Sequence, residues 1–194
     1  MDIQNKLPLV SSALGNLIFQ LFVMYRTTEL TLDNAWLKTM VDTNNVTLVI
    51  SNFALFFTLI FTRFSIPLKL LIFTSMSIIT GMLIHKIADM KEALLEAVGI
   101  FICMLFAGVI TVKLGYNLKT LGMVLVFTLL TLIFLRIVSP NKKEYTKIGM
   151  SIFALFVVYD TNQILQRNYS GDFVNATLDY FTDIVNLLTF AAED

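Results

Sequence analysis

The chain has 194 residues and no formal net charge at neutral pH, with 14 basic and 14 acidic side chains. Hydrophobic residues make up 57% of it and charged residues only 14%, against about 25% charged residues in an average soluble domain. Together with a mean hydropathy of +0.78, this composition predicts an integral membrane protein in which residues 1–194 form a single domain within the lipid bilayer. Because no run of Lys and Arg is present, a nucleic-acid partner is not expected.

Seven apolar stretches follow one another along the chain, each close to the roughly 20 residues that a helix needs to cross a bilayer. They predict seven transmembrane helices, which we call spans one to seven: Leu7–Tyr25, Val46–Phe64, Pro67–Ile84, Ala93–Val112, Leu118–Val138, Ile148–Leu165 and Phe173–Ala191. The first has no cleavage pattern of small residues, which favours a retained span over a cleaved signal. The longest linker, Arg26–Asn45, holds Trp36 and charges of both signs, and is a candidate interfacial helix.

The sequence offers little for catalysis or for a tightly bound cofactor. It has no phosphate-binding glycine loop, no GxSxG or HExxH motif and no paired cysteines. Its one cysteine, Cys103, lies in an apolar run and is interpreted as a small buried or lipid-facing residue. Its one histidine, His85, ends an apolar segment and is interpreted as interfacial, since a lone histidine cannot build a multi-His zinc site. We therefore expect that the protein is not an enzyme.

Two carboxylates in the last third of the chain are the first functional candidates. Asp160 lies inside span six and Asp183 inside span seven, on either side of a polar turn. An ionisable group at membrane depth is costly and is kept mainly where it faces a bundle interior or a water-filled path. In helices that rise 1.5 Å per residue, the two residues lie roughly 12 and 16 Å from the turn. Antiparallel neighbours would hold both carboxylates at similar depth.

Polar residues in spans six and seven recur at spacings of three and four, which places them on one face of each helix. They are Asp160, Gln163 and Arg167 in the first row, and Asp172, Asn175, Asp179, Asp183 and Asn186 in the second. Two such rows on adjacent helices predict a shared polar seam. Asp179 and Asn186 are therefore candidates to line an ion path, although polar contact between helices is the favoured reading for the asparagines.

Two glutamates at the start of span four, Glu92 and Glu96, are further candidates for an ion path. Acidic residues in the first turns of a helix also complement its dipole. The sequence leaves these two readings equal. Asn-x-Ser/Thr sequons at Asn45, Asn168 and Asn175 leave glycosylation open in the same way, because it requires lumenal exposure.

Four stretches together resemble the Bax-inhibitor family of membrane proteins, also called transmembrane Bax inhibitor motif or lifeguard proteins, which includes bacterial calcium-leak members. They are LLEAVG around Glu96, the basic end of span two at Arg63 with the following PLKLLIFTSMSIITG, VVYDTNQI around Asp160, and FTDIVNLL around Asp183. The YDTNQ element is the most specific of the four. The resemblance covers residues 46–188.

This resemblance implies an all-α fold of seven transmembrane helices in which the last helix is central and the others wrap it. It implies that Asp160 and Asp183 form a hydrogen-bonded pair, with Arg63 as the basic residue that engages it, and that the N-terminus lies in the cytosol. Asp179 is a carboxylate that the family pattern does not lead us to expect. The membrane would be a bacterial plasma membrane or a eukaryotic or viral endomembrane, in the endoplasmic reticulum or Golgi.

The family is associated with a pH-sensitive calcium leak, and the two acids suggest how one would work. Two carboxylates within hydrogen-bonding distance share one proton, because both cannot ionise at low cost. Our hypothesis is that the singly protonated pair holds span six to span seven, and that a change in its protonation opens a path. Calcium, the expected permeant ion, prefers carboxylate and carbonyl oxygens in flexible geometry. It would bind Asp160 and Asp183 weakly, since a tight site would stop conduction.

Two other functions remain open at the level of the sequence. The first is a non-conducting interaction protein that suppresses cell death by binding membrane-bound cell-death regulators, as eukaryotic and viral relatives are associated with doing. Its main docking surface would be the Arg26–Asn45 linker, the longest loop of the chain. The second is a proton-coupled transporter, for which solute flux would follow the proton gradient.

Overall fold

The computed structural model describes residues 3–87, 89–138, 142–166 and 172–193. The α-helices within these ranges are α1 Leu7–Asp33, α2 Ala35–Thr43, α3 Asn45–Phe61, α4 Ile66–Leu83, α5 Met90–Lys113, α6 Lys119–Val138, α7 Lys142–Gln166 and α8 Phe173–Ala191. Short 3-10 turns lie at Ile3–Lys6 and Ile84–Lys86. Because the described ranges contain no strand, the predicted all-α class is confirmed.

Within the described ranges, the helical segments long and apolar enough to cross a membrane are Leu7–Asp33, Ile66–Lys86, Met90–Lys113, Lys119–Val138 and Glu144–Gln166. A sixth crossing results if α2 and α3, which meet at a bend of 78°, form one broken span. Helix α8 has the predicted bounds of span seven but is more polar than these segments. The count of seven crossings therefore stays a prediction.

The first helix is longer than the sequence predicts. Span one is expected to end at Tyr25, whereas α1 continues to Asp33. The threonines of this extension satisfy their hydroxyls inside the helix: Thr27 donates to the Val23 carbonyl at 2.8 Å and Thr31 to the Thr27 carbonyl at 2.8 Å. The interfacial helix suggested for the linker is thus reduced to the nine residues of α2.

Helix α2 begins after Asn34, whose side chain accepts hydrogen bonds from backbone N–H groups in the first turn. Its Oδ1 accepts hydrogen bonds from the backbone N–H groups of Trp36 at 3.0 Å and Leu37 at 3.2 Å, which is the usual role of asparagine at a helix N-cap. The helix then ends at Thr43, and the chain turns sharply into α3.

The chain forms two compact units. The first unit contains Pro8–Ala88 and Gly171–Phe181, that is, α1 to α4 and the first half of α8. The second unit contains Met1–Leu7, Asp89–Ser170 and Thr182–Asp194, that is, α5 to α7 and the second half of α8. The last helix therefore contributes to the core of both units.

In the first unit, α1 and α4 pack closely and run in the same direction. Gln20 of α1 receives a hydrogen bond from the Ser77 hydroxyl at 2.8 Å, and two turns further on Thr28 donates to the Gly81 carbonyl at 2.9 Å. A Cβ atom added at Gly81 would lie only 2.4 Å from the carbonyl oxygen of Met24. The missing side chain of glycine therefore allows the two backbones to approach.

The first half of α8 packs against the same two helices. The Thr177 hydroxyl donates to the Ala13 carbonyl of α1 at 3.1 Å, and the Phe181 ring meets Phe73 of α4 edge to face at 5.2 Å between centroids. Along its whole length α8 has no exposed residue. A helix without an exposed residue belongs to the core; the central position expected for the last helix stays a prediction.

Candidate functional site

In the second unit, α7 and the second half of α8 lie side by side and run antiparallel. Near the start of α7 the Thr146 hydroxyl donates to the Glu193 carboxylate at 3.2 Å. Two turns later the Phe153 ring packs against Phe190, with centroids 5.8 Å apart. Between these contacts, a Cβ atom added at Gly149 would lie 2.3 Å from the Phe190 ring. As α7 advances, its contacts thus move back along α8.

The contact between Phe153 and Phe190 fixes the level of the two candidate acids. Asp160 lies seven residues after Phe153, and Asp183 lies seven residues before Phe190. Seven residues are almost two helical turns, or about 10 Å along the axis, and return nearly to the same face. The two aspartates therefore belong to the same seam as the two rings and lie at the same level. A direct hydrogen bond between their carboxylates stays a prediction.

The residues on either side of Asp160 attach α7 to its other two neighbours. Tyr159 fills the space beside Gly122 of α6, where an added Cβ would come within 2.4 Å of the ring, and Thr161 packs in the same way against Gly108 of α5 at 2.5 Å. Successive side chains on a helix point about 100° apart. With Tyr159 and Thr161 directed at α6 and α5, Asp160 between them is half-buried, whereas Asp183 is only 4% exposed.

Asn162, in the YDTNQ element, connects α7 to the loop between α5 and α6. It is fully buried. Its Nδ2 donates to the Thr111 hydroxyl and to the Tyr116 carbonyl, both at 2.9 Å, and its Oδ1 accepts from the Leu118 backbone at 3.2 Å. Gln166, one turn later, donates to the same Tyr116 carbonyl at 2.7 Å. The amide groups of Asn162 and Gln166 therefore make polar contacts with neighbouring segments, the reading that the sequence favours for the asparagines.

The loop that Asn162 holds has a specific backbone shape. Helix α5 ends at Lys113 and is followed by Gly115 at a φ of 80°, a conformation that glycine adopts without steric cost. The Gly115 N–H donates to the Val112 carbonyl and the Tyr116 N–H to the Thr111 carbonyl, both at 3.0 Å, which is the Schellman end of a helix. This turn leaves the Tyr116 carbonyl free to accept from Asn162.

A buried lysine, which sequence reasoning missed, lies in the first unit at the start of α8. Lys69 of α4 is 5% exposed. Its ammonium group forms an ion pair with Asp172 and donates to the Asn175 side chain at 3.2 Å. Asp172 also accepts from the Asn175 backbone N–H at 3.3 Å and so caps the first turn of α8. No signal in the sequence connects Lys69 with residues more than 100 positions away.

The remaining candidates fall into two groups. Arg63, in the loop between α3 and α4, and Glu92 and Glu96, in the first turns of α5, have exposed side chains. Asp179 and Asn186 of α8 are half-buried. The roles suggested for these five residues stay predictions. Arg167 and the sequon at Asn168 lie outside the described residues.

The described ranges contain no group of three or more His, Cys, Asp or Glu side chains that could hold a metal ion. Any cation at the α7–α8 seam would thus meet carboxylates in pairs. Two carboxylates supply hard oxygen ligands that suit calcium, but fewer than the six to eight that a tight calcium site uses.

The fold and the seam define a class of protein: a multi-pass helical membrane protein with an enclosed last helix and two acids on neighbouring helices. The family model described as "Inhibitor of apoptosis-promoting Bax1" matches residues 10–192. The chain belongs to this Bax-inhibitor family, as its motifs indicate, and it is an integral membrane protein. Among curated proteins, none matches the chain.

Proposed function

We propose that this chain is a pH-sensitive calcium leak channel whose gate is the pair Asp160 and Asp183. The observation that carries the proposal is the shared level of the two acids on the α7–α8 seam, fixed by the contact between Phe153 and Phe190. Membership of the Bax-inhibitor family supports the same conclusion. A carboxylate that is 4% exposed inside a membrane protein is costly unless it is used.

Protonation would act on the contact between α7 and α8. With one proton between them, two close carboxylates attract each other; with none, they repel. Helix α7 is fixed to α5 and α6 by Tyr159, Thr161 and Asn162, so repulsion at Asp160 is most easily relieved by movement of α8. We infer that α8 is the moving element and that deprotonation loosens the seam.

Calcium is the proposed permeant ion, and no tightly bound cofactor or catalytic activity is needed. Half-buried Asp179 and Asn186 extend the oxygen-bearing surface of α8 beyond Asp183. Such side chains replace part of the hydration shell of calcium without enclosing it, and weak binding is what conduction requires. The membrane that holds the protein, whether bacterial plasma membrane or endomembrane, stays a prediction.

The test is calcium flux in liposomes that contain the purified full chain and an entrapped indicator, recorded between about pH 5 and pH 8. The variants are Asp160→Asn and Asp183→Asn, which keep the shape of each side chain but remove its charge. Asp33→Asn is the matched control, because Asp33 is exposed at the end of α1. We expect flux that varies with pH in the wild type and the control, and pH-independent flux in both seam variants.

Two results would decide against the proposal. If calcium flux through Asp160→Asn and Asp183→Asn still depends on pH, this pair is not the gate. Absence of flux at every pH, with helical content and monodispersity intact, would reject the channel itself.

The alternative function is a non-conducting interaction protein that suppresses cell death through membrane-bound partners. The family name, which describes an inhibitor of apoptosis-promoting Bax1, favours it. The docking surface would be α2, where Trp36 is 70% exposed. A scrambled α2 sequence should abolish cell-death suppression on this hypothesis, whereas Asp160→Asn should leave that suppression intact.

A further inference from the structure

A cavity of about 390 Å³ lies in the first unit, at the C-terminal ends of α1 and α4. It is lined by Leu32, Lys38, Asp42, His85, Lys86 and Ile87. None of these residues belongs to the α7–α8 seam, and the proposed channel does not use them. The cavity combines two apolar side chains with four that carry a charge or a titratable ring.

His85, which lines this cavity, has a buried ring nitrogen without a hydrogen-bond partner among the described residues. Its Nδ1 lies 2.7 Å from the Met82 carbonyl oxygen, and since a carbonyl only accepts, Nδ1 must be the protonated nitrogen. In the neutral ring, Nε2 then carries the lone pair. The side chain is 2% exposed, and Nε2 is buried with no hydrogen-bond partner among the described residues. An unsatisfied buried acceptor costs about 1–3 kcal/mol, so a ligand that donates to it would be stabilised.

A carboxylate lies beside this acceptor. Asp42 Oδ1 is 3.5 Å from His85 Nε2 and 2.8 Å from the Lys86 ammonium. The hydrogen bond from Lys86 lowers the pKa of the Asp42 carboxyl, burial opposes this shift, and positive charge at Lys86, His85 and Lys38, in decreasing order of effect, lowers the pKa further. Asp42 is therefore ionised at neutral pH. The Asp42 carboxylate thus lies between the His85 ring and the Lys86 ammonium, and Lys38 also lines the cavity.

The position of the cavity suggests where its ligand comes from. Leu32 is next to the last residue of α1, and Lys86 ends the candidate membrane segment Ile66–Lys86. Trp36, at the start of α2, is 70% exposed, and tryptophan is enriched at the level of lipid head groups. The cavity therefore opens where two candidate spans end, at the interface between bilayer and water.

We propose that this cavity binds the phosphoethanolamine head group of a membrane lipid. The primary ammonium of the ligand would donate to His85 Nε2 and to Asp42, and Lys38 and Lys86 would contact the phosphate. In this arrangement the buried imidazole nitrogen accepts a hydrogen bond, and each charged group lies beside a group of opposite charge. Leu32 and Ile87 would contact the glycerol and the start of the acyl chains.

The same groups discriminate against other ligands. A choline head group has no N–H and leaves His85 Nε2 unsatisfied. A purely anionic head group brings a second negative charge to Asp42 and likewise offers no donor unless it is protonated. A divalent metal ion would find only two protein ligands, next to two lysine ammonium groups that repel it.

The first experiment uses the fact that His85 is the only histidine. The full chain, labelled with 15N-histidine, is placed in nanodiscs of phosphatidylcholine with and without phosphatidylethanolamine. We expect the Nε2 resonance to move toward the hydrogen-bonded range only when phosphatidylethanolamine is present. Soluble phosphoethanolamine, added to discs of phosphatidylcholine, distinguishes a lipid head group from a free ligand. A weaker shift of the Nε2 resonance at high concentration supports the lipid. Saturation at a lower concentration than the lipid requires overturns the proposal.

The second experiment measures which lipids stay bound after purification in detergent, by mass spectrometry of the intact protein. Lys38→Gln and Asp42→Asn change exposed side chains of α2, so the fold should survive. Asp42→Asn should lower the ratio of bound phosphatidylethanolamine to phosphatidylcholine about tenfold, the effect of one charge-assisted hydrogen bond. Lys38→Gln should lower the retention of both lipids and leave their ratio unchanged, because both carry the phosphate. Lys113→Gln, at an exposed lysine that ends α5, should leave the ratio unchanged.

Three results would overturn the proposal: equal retention of phosphatidylcholine and phosphatidylethanolamine, preferential retention of phosphatidylglycerol, or a shift of the Nε2 resonance with zinc alone. The proposal does not depend on the gate. Asp160→Asn and Asp183→Asn should retain the same lipids as the wild type, whether or not the chain conducts calcium.

Discussion

Lys69 shows how this fold accommodates a charge in its interior. The ammonium group has a carboxylate and an amide oxygen as partners, and the carboxylate also caps α8. An ion pair in such a position adds little net stability over an apolar pair, but removal of one partner leaves the other charge uncompensated. The residue therefore fixes the position of α8 relative to α4.

We expect Lys69→Met to lower the free energy of unfolding by about 2–3 kcal/mol. This is a small cost for the loss of one partner of a buried ion pair, because Asp172 is partly exposed. The measurement is unfolding in mixed micelles, followed by circular dichroism. Lys119→Met, at an exposed lysine that starts α6, is the control and should change stability by less than about 0.5 kcal/mol. Equal effects of the two substitutions would contradict the role given to the pair.

Asp42 should show its ion pair in a pH titration. Its folded-state pKa is lowered, chiefly by the hydrogen bond from Lys86. The stabilisation from this pair is therefore complete above the unfolded-state pKa of about 3.9 and is lost as the pH falls through the lower folded-state pKa. Lys86→Gln should raise the pKa of Asp42 in a carbon-13 carboxyl titration. Lys38→Gln should raise it less, since Lys38 acts only through space. An unchanged pKa in Lys86→Gln would refute the assignment.

At the scale of elements, glycines decide how closely neighbouring helices approach. Gly81 lies against the backbone of α1, Gly108 against Thr161, Gly122 against Tyr159 and Gly149 against Phe190. In a membrane, where apolar surface gains little from contact with other apolar surface, such close packing and interhelical hydrogen bonds hold helices together. The close packing of these helices therefore depends on glycine, which has no side chain to hold the helices apart.

Gly81→Ala should separate α1 from α4, because its Cβ would lie 2.4 Å from the Met24 carbonyl oxygen, a backbone atom that cannot rotate away. We expect a loss of about 1–3 kcal/mol, the usual cost of overpacking, in the same micelle assay. Gly15→Ala is the control on α1, since nothing lies within 4 Å of its added Cβ and alanine favours a helix over glycine. A Gly81→Ala variant as stable as Gly15→Ala would show that the helices adjust freely.

At the scale of the whole molecule, α8 sets the number of crossings. It has the length of a span and is enclosed along all 19 residues, yet its aspartates and asparagines make it too polar to stand in lipid alone. Such a helix crosses a membrane only when other helices cover it. If α8 crosses, and α2 with α3 forms one broken span, the chain has seven crossings.

Seven crossings put residues 5 and 192 on opposite sides of the membrane, which labelling can establish. Cys103 is the only cysteine and is exposed, so Cys103→Ala gives a background in which Asn5→Cys or Ala192→Cys is the sole thiol. Both positions have exposed side chains. In sealed vesicles of uniform orientation, an impermeant maleimide should label one variant from outside and the other only after permeabilisation. Labelling of both from the same side would show an even number of crossings.

The sequence by itself determined the helical membrane class and the bounds of α8, because hydrophobic length and helical spacing are local properties of the chain. Its family motifs led to the Bax-inhibitor family in the same way. Only the tertiary structure decided that Lys69 meets Asp172 and that His85 turns a buried nitrogen toward Asp42. These contacts join residues far apart in the chain, and which polar groups meet depends on how the helices pack, a property that no single segment encodes.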